Sequence, residues 1–129
     1  MKISIGITVA VIVFSLSSFG QNYQSPFGDR SAKADSGCRN AIATVENLIN
    51  DFEKVARDYK ADADNDEVMR LMSVDEIKVR ISNLDVLTVK LLNARNCMVR
   101  ENQRDSMNNV IDDAGELRTY VSSRWSQAH

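Results

Sequence analysis

The sequence predicts an all-α protein. We expect a small up-down-up helical bundle, in which an antiparallel helical hairpin stapled by one disulfide is followed by a third, C-terminal helix. Two observations predict this fold. One proline and five glycines among 129 residues leave few positions that interrupt a helix. The only two cysteines, Cys38 and Cys97, stand at the far ends of two long helical patterns, with an acidic turn between them.

Residues 1–20 have the pattern of a secretory signal peptide. Lys2 supplies the short positive region, an apolar stretch covers residues 3–16, and Ser18 and Gly20 are the small residues of a cleavage site. An uncleaved anchor is the alternative, but a bilayer-spanning helix needs about 20 apolar residues. We therefore expect a secreted or periplasmic protein without a stable membrane anchor after cleavage. A bacterial periplasm and a eukaryotic exterior both fit.

Export bears on how the cysteines are interpreted. In an oxidising compartment, two cysteines at long spacing are most simply one disulfide, so we predict the bond Cys38–Cys97. Residues 21–36 contain the only proline and show no apolar period, which is typical of a flexible leader. A single helical domain is predicted over residues 37–126.

The first long helix is predicted to begin at Asp35 or Ser36 and to end near Lys60. Apolar residues recur there at alternating spacings of four and three, and charged residues occupy the opposite side, which is the pattern of an amphipathic helix. The apolar face consists of Cys38, Ile42, Val45, Ile49, Phe52, Ala56 and Tyr59.

An acidic segment follows the first helix. Asp62, Asp64 and Asp66 repel one another, which disfavours a helix there, and a short helical turn is expected just after them. Their spacing also matches the start of a calcium-binding loop, but Glu67 replaces the glycine and Ser73 replaces the bidentate glutamate of that loop. A solvated acidic turn is the preferred interpretation, and no metal site is predicted.

The second long helix starts with a capping box formed by Ser73 and Glu76 and runs to Cys97. One side carries a main apolar face, and Val79 and Val86 form a second stripe on another side. Such a helix usually packs against two neighbours, or against one neighbour and a partner. The two arms contain about 22 and 23 residues, so each is roughly 33–35 Å long. Antiparallel packing then returns Cys97 to the neighbourhood of Cys38.

A third helix is predicted after the polar stretch 93–109. We place the break between Arg100 and Asp105, with Asp105 as the new N-cap; one continuous helix from Ser73 is the alternative. Gly115 falls on the polar side. The apolar face consists of Met107, Val110, Ile111, Ala114, Leu117, Val121 and Trp125.

Few kinds of chemistry fit this sequence. The only histidine is His129, the last residue, where disorder is expected. We therefore expect no histidine-dependent nucleophile and no histidine-based zinc site. The net charge is −2, whereas a nucleic-acid-binding surface needs a cluster of basic residues. We therefore expect no nucleic-acid partner. No enzymatic activity and no cofactor are predicted.

The leading hypothesis is an exported, non-catalytic protein-binding module that presents a helical surface, in an inhibitor, immunity or chaperone-like role. The predicted partner-binding residues are Val79, Val86, Arg100 and Arg104. The partner is expected to be another protein or a second copy in a homodimer. The alternative hypothesis is a carrier that holds a small apolar ligand in a bundle cavity, with the methionines 69, 72, 98 and 107 as its lining.

Overall fold

The computed structural model describes residues 32–33 and 36–129. It confirms the all-α bundle. The first arm comprises two helices, a short helix follows, and the second arm and the C-terminal helix complete the domain. The signal peptide predicted over 1–20 and most of the leader lie outside the described residues. The helices are α1 Ser36–Ala43, α2 Val45–Asp64, α3 Asp66–Leu71, α4 Val74–Asn96 and α5 Glu101–Ala128.

The predicted disulfide is confirmed and joins the open end of the hairpin. The Cα atoms of Cys38 and Cys97 are 5.0 Å apart, and 59 positions of sequence separate the two residues. Cys97 is buried, and Cys38 packs against the core from α1. The disulfide therefore brings the far ends of the two arms together, as the sequence predicts. Within residues 32–33 and 36–129, no helix combines the length and apolar character that a membrane crossing requires.

The helix of the first arm is interrupted at Thr44, which separates α1 from α2. The Thr44 hydroxyl donates a hydrogen bond to the carbonyl oxygen of Asn40 at 3.0 Å, one turn earlier. The backbone N–H of Thr44 bonds to the same oxygen, and the N–H of Leu48 bonds to the Thr44 carbonyl. A threonine side chain that bonds back to the preceding turn commonly bends a helix without ending its hydrogen bonding.

The predicted end of the first arm near Lys60 is wrong, because α2 continues to Asp64. Repulsion among the carboxylates was expected to stop the helix. Lys60 reaches Asp64 at 2.6 Å within α2, and Arg80 reaches Asp62 at 2.5 Å from α4. These cations neutralise the repulsion. The short helix α3 then begins after Asn65, whose side-chain oxygen accepts two backbone N–H bonds.

The start of α4 confirms the capping box. The N–H of Glu76 donates to the Ser73 hydroxyl oxygen at 3.1 Å, and the N–H of Ser73 donates to the Glu76 carboxylate at 3.1 Å. Hydrogen bonds from the backbone N–H and from the side chain of Ser73 hold the pKa of the Glu76 carboxyl group below its usual range. The capping box fixes where the second arm begins, and thus the register of every residue along it.

The break between the second and third helices lies earlier than predicted. It covers residues 97–100, and Asp105 lies inside α5 rather than at its N-cap, which is Arg100. The continuous-helix alternative is wrong as well. Backbone pairing with the segment before α1 explains the position, because the N–H of Lys33 donates to the carbonyl oxygen of Cys97 at 3.1 Å.

The same loop has two further attachments. Met98 forms an isolated antiparallel bridge with Ala32. The Arg104 guanidinium donates to the carbonyl oxygens of Met98 at 3.0 Å and Val99 at 2.9 Å. Carbonyl groups that end a helix need such donors, so these contacts hold the chain in the turn between α4 and α5.

The core lies between α2, α4 and α5. The C-terminal helix α5 packs chiefly against α4 and also contacts α2 and α3. Gly115 is on the exposed side of α5, as predicted, with open space where a side chain would project. The largest fully buried side chains are those of Val45, Phe52, Met69, Leu84, Leu91, Met98, Met107, Val110, Leu117 and Val121.

Removal of the disulfide should lower stability while preserving the helices. In the variant Cys38→Ser/Cys97→Ser, we expect the free energy of unfolding to fall by roughly 4 kcal/mol, because the unfolded chain regains the freedom of a closed loop. Thermal unfolding followed by circular dichroism measures the change, with reduced wild-type protein as the control. An unchanged melting temperature, or two reactive thiols in the native unreduced protein, would contradict the assignment.

Candidate functional site

The exposed apolar residues of α4 lie on the side of the helix that faces away from the core. Val79, Val86 and Val89 are 59%, 50% and 55% exposed. Ile77 and Leu84 point inward from the same helix and are buried. We call this exposed side the outer face of α4; it consists of Asp75, Val79, Ser82, Val86, Val89, Lys90 and Asn93.

Two surface depressions border the outer face of α4 on the side of the first arm. One, of about 400 Å³, is lined by Val79 and Asp75 together with Tyr59 and Arg80. The Arg80 guanidinium lies 4.9 Å from the centre of the Tyr59 ring. The other, of about 470 Å³, adjoins the end of α4, with Lys90 in its lining. The exposed valines therefore lie on a ridge that is bordered by two depressions, rather than on a flat surface.

The structure does not bring all four predicted partner-binding residues together. Val79 and Val86 share the outer face of α4. Arg100 and Arg104 follow the end of that helix at Asn96, which is itself about 26 Å from Val79 at 1.5 Å per residue. Arg104 holds the loop carbonyls, and Arg100 is the exposed N-cap of α5. Val89 is a third exposed valine, which the predicted set omits. Its spacing of three residues from Val86 was the pattern that could have placed it on the same face.

The acidic segment does not form a calcium loop. Its three aspartates turn toward different helices: Asp62 pairs with Arg80, Asp64 with Lys60, and Asp66 with Arg124. Among the described residues, no group of three acidic, histidine or cysteine side chains is arranged to hold a metal ion. The spacing that resembles a metal motif instead distributes carboxylates among contacts between helices.

Asp64 and Tyr120 form one of these contacts. The buried Tyr120 hydroxyl donates to the Asp64 carboxylate across the α2–α5 boundary. Burial by itself would raise the pKa of Asp64, but hydrogen bonds from Lys60 and Tyr120 and the charges of Lys60 and Arg124 outweigh it, so the pKa is lowered. Burial, with the bond to Asp64, raises the pKa of Tyr120 to about 12. Tyr120 is therefore a neutral hydrogen-bond donor at physiological pH.

Arg124 is a buried cation at the end of α2. Only 8% of it is exposed, and its Nε donates to the carbonyl oxygen of Ala63 at 2.7 Å. Its guanidinium also pairs with Asp66 in α3. The Arg124 side chain thus satisfies a carbonyl at the C-terminal end of α2 and links α5 to α3.

His129 is ordered, contrary to expectation. Its ring stacks on Trp125 with ring centres 4.3 Å apart, and its Nε2 lies 3.0 Å from the carbonyl oxygen of Met69. The indole N–H of Trp125 donates to the Met72 carbonyl at 2.9 Å. The end of α5 is thereby held against α3.

Asp113 is a titratable group that the sequence did not single out. It lies half-buried on α5. Burial, together with the nearby charges of Glu116 and Asp112, raises its pKa to about 7. It is therefore partly protonated at neutral pH, which distinguishes it from an ordinary surface carboxylate.

No protein-family model matches the chain, and no similar protein is found among curated proteins or among solved structures.

Two arginines of α5 provide a matched test of burial. Arg118→Met breaks only an exposed pair with Asp85, so we expect a loss of about 0–1 kcal/mol in the free energy of unfolding. Arg124→Met leaves the buried Ala63 carbonyl without its donor, and we expect a loss of roughly 1.5–3 kcal/mol. Urea unfolding curves of the two variants measure the difference. Equal losses would contradict the structural role of Arg124.

Asp113 should make stability depend on pH. Its pKa is about 7 in the folded protein against an ordinary value of 3.8, so the folded state retains a proton that the unfolded state has lost between these values. This contribution makes stability fall as pH rises from about 4 to about 7. We expect Asp113→Asn to raise the melting temperature at pH 8 and to change it little at pH 4. The exposed Asp58→Asn is the control; an equal effect at both pH values for Asp113→Asn would disprove the assignment.

Proposed function

We propose that this protein is an exported, non-catalytic protein-binding module whose binding surface is the outer face of α4. The observation that carries the proposal is the exposure of Val79, Val86 and Val89 on a helix whose opposite side is packed in the core. Branched side chains lose rotamer freedom in a helix, so valine is a poorer helix former than alanine or lysine. At a solvated position no packing contacts offset that loss of rotamer freedom. A bound partner would supply such contacts.

Export is supported by the disulfide, since such bonds persist mainly in oxidising compartments. The signal-like pattern of residues 1–20 is consistent with it. A non-catalytic role is supported by the contacts of the charged residues at the closed end of the hairpin. Asp64, Asp66 and Arg124 all engage other parts of the fold.

The alternative of an apolar-ligand carrier has less support. All four methionines that could line a cavity are buried and belong to the hydrophobic core. The depression of about 360 Å³ beside Trp125 lies at the surface between α4 and α5, and Lys78 and Asp85 form part of its wall. A buried apolar ligand would require an enclosed, mostly apolar site. Surface recognition fits the packing better.

The proposed surface can be tested with Val79→Lys/Val86→Lys. Both positions are exposed and lysine is a good helix former, so the fold should be retained. We expect a cross-linked partner that wild-type protein captures from an extract of its native compartment to be lost with this variant. Charged side chains on the face would oppose burial against another protein.

Leu71→Lys is the matched control, because Leu71 is 65% exposed but lies in α3, away from the outer face of α4. The partner should be retained with this variant. Capture that is identical for wild type and both variants, or the absence of any captured protein, would refute the proposed surface. Mass spectrometry of the cross-linked band identifies the partner.

A further inference from the structure

The charges of the outer face of α4 are arranged with opposite signs toward its two ends. Asp75 lies in the first turn, and Lys90 lies fifteen residues later, about 22 Å along the helix. Both side chains are exposed, and neither forms an ion pair with another described residue. Glu76 is different, because its carboxylate is held in the capping box. One acidic and one basic group therefore remain available on this face.

The apolar and charged pairs share one centre. The midpoint between Val79 and Val86 falls between Ser82 and Asn83, and so does the midpoint between Asp75 and Lys90. A second α4 that lies antiparallel across this point would meet the same sequence in reverse order. Val79 would then face the partner's Val86, and Asp75 would face the partner's Lys90.

We propose that the occupant of the outer face of α4 is a second copy of this chain, packed through its own α4 in an antiparallel, two-fold symmetric pair. This rests on the proposed function and names its partner. A symmetric pair forms each contact twice, with two Val79–Val86 contacts and two Asp75–Lys90 ion pairs. The apolar contacts supply the favourable burial, and the ion pairs fix direction and register.

A parallel pair fits the same face less well. It would place Asp75 against the partner's Asp75 and Lys90 against the partner's Lys90, and like charges in contact oppose association. It would also align the two helix dipoles in the same direction. The antiparallel arrangement removes both conflicts.

The centre of the pair is suited to close approach. Ser82 is small and exposed, and it would meet the partner's Asn83. The side-chain amide of Asn83 donates to the Tyr59 hydroxyl at 2.9 Å, which orients it from the same subunit. Because only one helix of each subunit takes part, the interface lies toward the small end of specific interfaces. We therefore expect a dissociation constant in the micromolar range and a measurable exchange between monomer and dimer.

Sedimentation velocity of the purified protein, from about 1 μM to about 1 mM, tests the proposal. Wild-type protein should change from monomer to dimer over this range, and Val86→Lys should remain monomeric. Asp75→Lys and Lys90→Asp should each weaken the dimer roughly tenfold or more, since each variant loses both ion pairs and creates like-charge contacts. The double variant Asp75→Lys/Lys90→Asp should regain wild-type association, because the reversed pairs form again.

Lys54→Asp is the control, because Lys54 is exposed and lies on α2 rather than on the outer face of α4. Circular dichroism of every variant shows whether helices are retained. A wild-type protein that is monomeric throughout, or a double variant that does not recover, would overturn the antiparallel pair. The chain could be monomeric while capture of a protein from the native extract still depends on Val79 and Val86. In that case the dimer proposal is wrong, but the proposal that the outer face of α4 binds a protein is retained. If both results are negative, both proposals fail.

Discussion

The disulfide between Cys38 and Cys97 determines how the rest of the molecule is arranged. It joins α1 to the end of α4, so the open ends of the two arms of the hairpin lie side by side. Residues 97–98 also pair with residues 32–33, which brings the chain before α1 to the same end. From this end, α5 returns along α4 and packs chiefly against it. The fixed end is thus the point from which both long helices of the core extend.

The opposite end is held by charge. Three aspartates close together in sequence would oppose helix formation if they stood alone. Cations from α2, α4 and α5 each pair with one of them, so α2 continues to Asp64 and α3 begins after a single intervening residue. Arg124 is the buried member of the three and also satisfies the Ala63 carbonyl. A covalent bond at one end and a set of ion pairs at the other thus fix the hairpin.

Features that depend on the local residue pattern could be predicted from the sequence. Predictions were wrong where contacts between residues distant in sequence determine the structure. The Ser73–Glu76 capping box and the core face of α5 follow from residue spacing alone. The position of the α4–α5 loop could not be predicted in this way, because it depends on Ala32 and Lys33, more than 60 residues earlier. Likewise, spacing revealed the repulsion among aspartates but not the arginines that relieve it. Periodicity did place Val79 and Val86 on one face, because that placement depends only on their spacing within one helix.

The location of the single tryptophan has a practical consequence. Trp125 lies at the end of the molecule opposite the disulfide, with its indole bonded to the Met72 carbonyl and stacked on His129. Its fluorescence therefore reports on the contact between α5 and the closed end of the hairpin, whereas circular dichroism averages over all helices. If the two signals change at the same denaturant concentration, the domain unfolds as one cooperative unit. If fluorescence changes first, the end without the covalent link opens independently of the rest.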